Sequence, residues 1–141
     1  NIQDFWSRWH ISLGVWIRRY VFVPMTAILL KTCPAWTHNI VLAVAVLITF
    51  FLVGLWHGTT SNFVLFGLLH GVAILITVGA KKLLASTIGA EKCASLHDKK
   101  WFHWLSIVLC FNYVCFTFLF LENQLMEIWG VMWFFSHDKP I

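Results

Sequence analysis

Long apolar runs separated by short polar breaks dominate this chain. Residues 40–57 form a charge-free run ending in His57, just long enough to cross a bilayer, which takes about 20 residues. The small polar segment Gly58-Thr59-Thr60-Ser61-Asn62 then reads as a tight turn. Residues 63–79 form the return helix, closed by Gly79 and the basic pair Lys81-Lys82. Residues 80–100 are polar and read as a loop, with five lysines set against Glu91 and Asp98. A third span follows at residues 101–121, with Trp101 and Trp104 at its entrance, where amphipathic rings favour headgroup depth. Residues 125–135, containing Glu127, either begin a further helix or lie at the interface.

The first part of the chain is more mixed. Residues 1–20 combine Trp6, Trp9 and Trp16 with Asp4, Arg8, Arg18 and Arg19, and at helical spacing Phe5, Trp9 and Trp16 share a side. That pattern predicts an interfacial helix, because a span would have to bury all four charges. Residues 21–30 are apolar but interrupted by Pro24, which predicts a broken or re-entrant segment. The loop at residues 31–39 contains Pro34. The expected fold is all-α, a multi-pass transmembrane helical protein in contact with the lipid bilayer.

Composition supports lipid as the solvent. The chain of 141 residues is 60% hydrophobic and 11% charged, against about 25% charged in a soluble domain. Its net charge of +4 comes from short basic clusters between apolar runs, so topology explains it and nucleic acid is not an expected partner. By the positive-inside rule, the clusters around Arg18, Lys31 and Lys81–Lys100 place one face, including the loop at residues 80–100, in the cytoplasm. The Thr59 turn then approaches the opposite side. Cys33, Cys93, Cys110 and Cys115 have neither metal-ligand nor disulfide-framework spacing and read as reduced, small hydrophobes. The chain opens on Asn1 and stops within a polar segment, which reads as a piece of a longer membrane protein, with some apolar faces expected to pack against helices not present here.

Between Lys31 and Lys81 there is no Asp, Glu, Lys or Arg, yet His57 and His70 lie there, each in the pattern Gly-Leu-X-His-Gly. An ionisable residue inside a membrane segment marks a functional site by default. The alternative is that Gly54/Gly58 and Gly67/Gly71 form small-residue packing faces on which each histidine only hydrogen-bonds across a helix interface. His57 favours the functional reading because it ends a helix beside a polar turn that an alcohol can reach. No carboxylate accompanies it in the charge-free region, which argues against a Ser-His-Asp hydrolase or a carboxylate-pair glycosidase. A solitary imidazole instead suits general-base activation of an alcohol attacking an acyl thioester. Such a donor needs neither a metal nor a tightly bound cofactor. A non-enzymatic transport or scaffold subunit with pore-lining histidines is the competing reading. On local spacing alone His10 is structural, and His38, His97, His103 and His137 carry no assigned role.

Two blocks resemble a known family. Asp4-Phe5-Trp6-Ser7-Arg8-Trp9-His10-Ile11-Ser12-Leu13, followed by Trp16, Arg18, Tyr20 and Pro24, and then Gly54-Leu55-Trp56-His57-Gly58, resemble the signature blocks of the membrane-bound O-acyltransferases. The similarity is to the bacterial branch that includes the alginate O-acetyltransferase and the D-alanyl transferase of teichoic acids, and it continues weakly through residues 111–116. The resemblance implies one partial domain over residues 1–141, a piece of the C-terminal half whose missing N-terminal half is a partner, with a tunnel through the bacterial inner membrane. It implies an acetyl or D-alanyl type group arriving on a cytoplasmic thioester, acetyl-CoA or an acylated carrier protein. The acceptor would be a hydroxyl of an extracytoplasmic polysaccharide or cell-envelope polymer. It also implies His57 and His10 as catalytic, with His10 towards the donor and His57 towards the acceptor, and Trp9, Trp56, Ser12 and His70 as substrate-binding or tunnel residues. After Pro24 the sequence Met25-Thr26-Ala27-Ile28 replaces the Leu-Gly-Gly and Asn usual in alginate-type proteins, which leaves the acceptor polymer open.

Overall fold

The computed structural model describes residues 1–122, and within them every long apolar run is helical. In chain order the helices are α1 (Ile2–Arg8), α2 (Ile11–Ile17), α3 (Val23–Thr32), α4 (His38–His57), α5 (Ser61–Ile88), α6 (Ala90–His97) and α7 (Lys100–Glu122). Four helical stretches are long and apolar enough to cross a membrane: Ile11–Thr32, Ala35–His57, Ser61–Ile88 and Lys100–Leu121. The protein is all-α and multi-pass. The apolar stretch at residues 125–135 lies outside the described residues.

Three expectations from the sequence are corrected. Residues 21–30 are neither broken nor re-entrant, because α2 continues through a π-helical turn, Arg18–Phe22, directly into α3. Pro24 falls in the first turn of α3, just after that turn, where Val23 N–H bonds back to Arg18. The wider turn absorbs the missing donor and the ring that would otherwise crowd the carbonyl four residues back. Residues 1–20 are consequently not one interfacial helix; α1 ends at Arg8 and α2 belongs to a stretch of 22 residues. The polar segment at residues 80–100 is also largely helical. Its Ala, Leu and Lys residues favour helix, and Gly89, at φ 88°, divides α5 from α6 in a conformation that suits glycine.

The core is the antiparallel pair α4 and α5. Val41, Ala45, Thr49 and Val53 recur every four residues as the buried ridge of α4, and Phe66, Gly67, His70 and Gly71 form the buried face of α5. The backbones touch where Gly54 meets Gly67. A Cβ at Gly54 would run into the Phe63 carbonyl, and one at Gly67 into the Phe50 carbonyl, with Gly54 Cα at 3.0 Å. In lipid there is little hydrophobic drive between helices, so this close approach supplies the dispersion contact that holds them. The buried hydroxyl of Thr49 bonds to the Ala45 carbonyl at 2.7 Å, so this donor is satisfied within its own helix.

Polar contacts mark the basic end of the bundle. Lys81 Nζ reaches Gln3 Oε1 at 3.5 Å and Lys82 Nζ reaches Asn39 Oδ1 at 3.4 Å, which gathers the starts of α1 and α4 at the basic end. From there α1 runs along α5 and reverses at Trp9-His10. A Cβ added at Gly14 of α2 would meet the Trp6 carbonyl at 3.8 Å, so α2 folds back alongside α1.

Replacing Gly67 by Ala should therefore destabilise the helix pair by about 1–3 kcal/mol, the usual cost of overpacking. Gly79→Ala, where an added Cβ meets nothing within 4 Å, should be neutral or stabilising. Thermal unfolding of the two variants of the full-length protein in detergent measures the contrast.

Candidate functional site

The site forms where two chain reversals meet. One is the Gly58–Thr60 turn after α4, in which Phe63 N–H bonds back to the Thr60 carbonyl at 3.2 Å. The other is Trp9-His10. Trp9 is extended (φ −94°, ψ 132°) and its N–H closes α1 on the Phe5 carbonyl at 2.8 Å, while the His10 carbonyl opens α2 by accepting from Gly14 N–H at 3.0 Å. His10 itself stands in the left-handed region (φ 47°, ψ 49°), and among the described residues it is the non-glycine residue that does so. Such a conformation costs on the order of 1–3 kcal/mol and persists only where the surroundings impose it.

That reversal brings His10 edge-on to Trp56, with ring centroids 5.3 Å apart, and Trp56 lies 4.9 Å from the ring of His57. An indole thus stands between two imidazoles at one end of α4. Both histidines and Trp56 are exposed in this chain, Trp56 by 58%. Neither imidazole has a side-chain hydrogen bond among the described residues, so each keeps its ring nitrogens available. His10 does not lie towards the basic end as expected. The α1 hairpin carries it to the level of Trp56, and the two histidines share one end of the helix pair.

Inward from His57 the rings continue. Phe66 packs edge-on to His57 at 5.5 Å and to His70 at 4.6 Å. His70 is 0% exposed and both its nitrogens are engaged, Nδ1 by Trp6 Nε1 at 3.2 Å and Nε2 by Thr117 Oγ1 at 2.9 Å. The structure therefore gives His70 the cross-helix bonding that the packing alternative describes. Tyr113, within the weaker matching stretch, donates to the Leu69 carbonyl at 2.7 Å and fastens α7 beside the same turn of α5.

The other expected tunnel residues are dispersed. Trp9 stacks on Phe5 at 5.8 Å and lines a cavity of about 620 Å³ between α1 and α7, together with Asp4, Arg8, His103 and Ser106. Ser12 is exposed in the first turn of α2. A second cavity, about 540 Å³, lies on the other side of α1 against α2, α4 and α5. His10 and His57 line neither cavity. Among the described residues no group of three or more His, Cys, Asp or Glu side chains is placed to hold a metal ion.

Sequence reasoning passed over Phe66, Thr117 and Phe118. Thr117 was visible only as a hydroxyl inside an apolar run, and Phe66 and Phe118 as ordinary core aromatics. Their relevance comes from contact with His57, His70 and Trp9 across three helices.

A family model described as the membrane-bound O-acyltransferase family matches residues 1–120. A teichoic acid D-alanyltransferase of Bacillus subtilis is 35% identical over 126 residues, covering 88% of this chain and 30% of that protein. One of Streptococcus thermophilus is 30% identical over 132 residues, covering 92% and 32%. A peptidoglycan O-acetyltransferase of Helicobacter pylori is 28% identical over 132 residues, covering 90% and 21%. The chain spans less than a third of the length of these curated relatives.

The backbone at His10 provides a test that is independent of chemistry. His10→Gly should be at least as stable as the parent, because glycine enters the left-handed region without steric cost. His10→Val should lose about 1–2 kcal/mol, because a β-branched residue resists that region. Equal melting temperatures for the two would show that the left-handed turn is not imposed.

Proposed function

The chain belongs to the membrane-bound O-acyltransferase family, and from that premise we propose that the His10–Trp56–His57 end of α4 is the site where an acyl group passes to a hydroxyl. The observation that carries this reading is the convergence of two imidazoles, without hydrogen-bond partners among the described residues, across one indole at an accessible helix end. The proposed donor is a cytoplasmic thioester, acetyl-CoA or an acylated carrier protein, with no tightly bound cofactor. The proposed acceptor is a hydroxyl of a polysaccharide or cell-envelope polymer outside a bacterial inner membrane. The names of the relatives support acetyl and D-alanyl groups and envelope polymers as the classes of substrate.

The charge distribution supports the orientation. Lys31, Lys81, Lys82 and Lys100 lie at or beyond the end of the bundle opposite the Gly58 turn, which the positive-inside rule assigns to the cytoplasm. Both site histidines then face the acceptor side, and the acyl group must travel the depth of the protein to reach them.

In the reaction, a ring nitrogen of His57 removes the proton of the acceptor hydroxyl as its oxygen attacks the thioester carbonyl carbon. The tetrahedral intermediate collapses by breaking the carbon–sulfur bond. The thiolate takes the proton from His57, leaving an ester and a free thiol. His10, across Trp56, orients the acceptor or the carbonyl oxygen. The thioester is already activated, so the chain needs only a base and positioning, and a base contributes about a hundred- to ten-thousand-fold.

His57→Ala in the full-length protein should lower acyl transfer by about that factor while membrane abundance stays unchanged. His10→Asn, which tolerates the left-handed backbone, should slow transfer less severely. The assay is loss of a labelled acyl thioester that depends on an alcohol acceptor. Undiminished transfer by His57→Ala would reject the assignment, and movement of an intact solute without ester formation would favour a transporter.

A further inference from the structure

We propose that His70 is a positioning residue whose ring is locked in one tautomer, with its proton on Nε2, and that this ring aligns α1 and hence His10 with Trp56 and His57. The effect on rate rests on the acyl-transfer reading above; the lock itself does not.

The assignment follows from donor accounting. The indole N–H of Trp6 can only donate, so His70 Nδ1, 3.2 Å away, must be the acceptor and carries no proton. The hydroxyl of Thr117 donates to the Val114 carbonyl at 2.8 Å, and a carbonyl can only accept. Thr117 Oγ1 is therefore free to accept at 2.9 Å, and His70 Nε2 must donate to it. Three hydrogen bonds run in one direction from Trp6 through His70 and Thr117 to Val114, and both ends of the chain fix that direction. Moving the proton to Nδ1 would set two N–H groups against each other and leave Thr117 Oγ1 without its donor. In a fully buried site each unsatisfied group is costly.

Other groups hold the ring from all sides. Trp6, Phe66 and Tyr113 lie edge-on at 5.1, 4.6 and 5.9 Å, and Phe5 is stacked at 6.3 Å. Trp6 also packs against Phe50 of α4 at 5.2 Å. The ring thus ties α1, α5 and α7 together and reaches α4 through Trp6. With both nitrogens occupied, His70 has no lone pair for a substrate proton. Trp6 precedes His10 by one helical turn, so the bond from Trp6 to His70 sets where α1 ends and where the left-handed turn presents His10. On the other side, Phe66 occupies the space between the His70 and His57 rings.

Nitrogen NMR of the full-length protein carrying isotopically labelled histidine tests the lock directly. The expected His70 signature is a protonated Nε2 and a bare Nδ1. A proton on Nδ1, or on both nitrogens, overturns the lock whether or not acyl transfer is detected. Thr117→Val removes the acceptor while keeping the shape, and Thr117→Ser restores it. Thr117→Val should reach the membrane at parental abundance and lower kcat by about ten- to a hundredfold, the scale of small misplacements at a reacting centre. The KM for the thioester should stay within about twofold, and Thr117→Ser should recover most of the loss. Should Thr117→Val fail to accumulate, Trp6→Phe removes the donor at the opposite nitrogen and serves the same comparison. Unchanged kcat in a well-expressed variant overturns the positioning role and leaves the acyltransferase reading intact. Absence of transfer in the parent overturns that reading and leaves the tautomer to the NMR result.

Discussion

The contact between the backbones of α4 and α5 at Gly54 and Gly67 is the constraint on which this structure depends. Helices surrounded by lipid gain little from burying apolar side chains against each other, so their association rests on close packing and on satisfied polar groups. The absence of a Cβ at both positions lets one helix rest on the carbonyls of the other. That contact fixes the axial register of the pair and sets the height of the Gly58 turn. It also aligns His57 with Phe66 on the opposing helix.

Polar satisfaction adds the second layer. A buried imidazole in apolar surroundings requires a partner at each nitrogen, and His70 finds one on α1 and one on α7. The helix pair thereby recruits two further elements to defined positions. The α1 hairpin, which carries several charges, is held by this bond, by its aromatic neighbours and by Lys81 at the basic end. The chain can then tolerate the strained backbone of His10, because its surroundings are already set by α1 on one side and α2 on the other.

The two histidines in the repeated Gly-Leu-X-His-Gly pattern diverge for a geometric reason. His57 is the last residue of its helix, beside a turn, and its ring lies against the edges of Trp56 and Phe66. His70 lies well inside α5, where three elements converge on it. The same local pattern, with Trp56 in one copy and Leu69 in the other, produces one available imidazole and one occupied imidazole. The difference is position along the helix, and it separates a group that can accept a substrate proton from a group that holds the scaffold.

Much of this was legible in the linear pattern. The charge-free runs around His57 and His70 and after Trp101 specified helices of membrane length, since in lipid the backbone must satisfy its own hydrogen bonds. The paired glycines marked a close crossing, and the motifs around His10 and His57 marked the family. Pro24 and the lysines near residue 81 misled, because a π-helical turn and good helix-forming neighbours overrode the local breaks. Which histidine is free and which is bonded, and that His10 stands beside Trp56 rather than at the far end, depended on residues distant in sequence: Trp6, Phe66 and Thr117. Periodicity is a property of one helix and is written in the chain. Hydrogen-bond partners and ring contacts are properties of several helices together, and only their packing decides them.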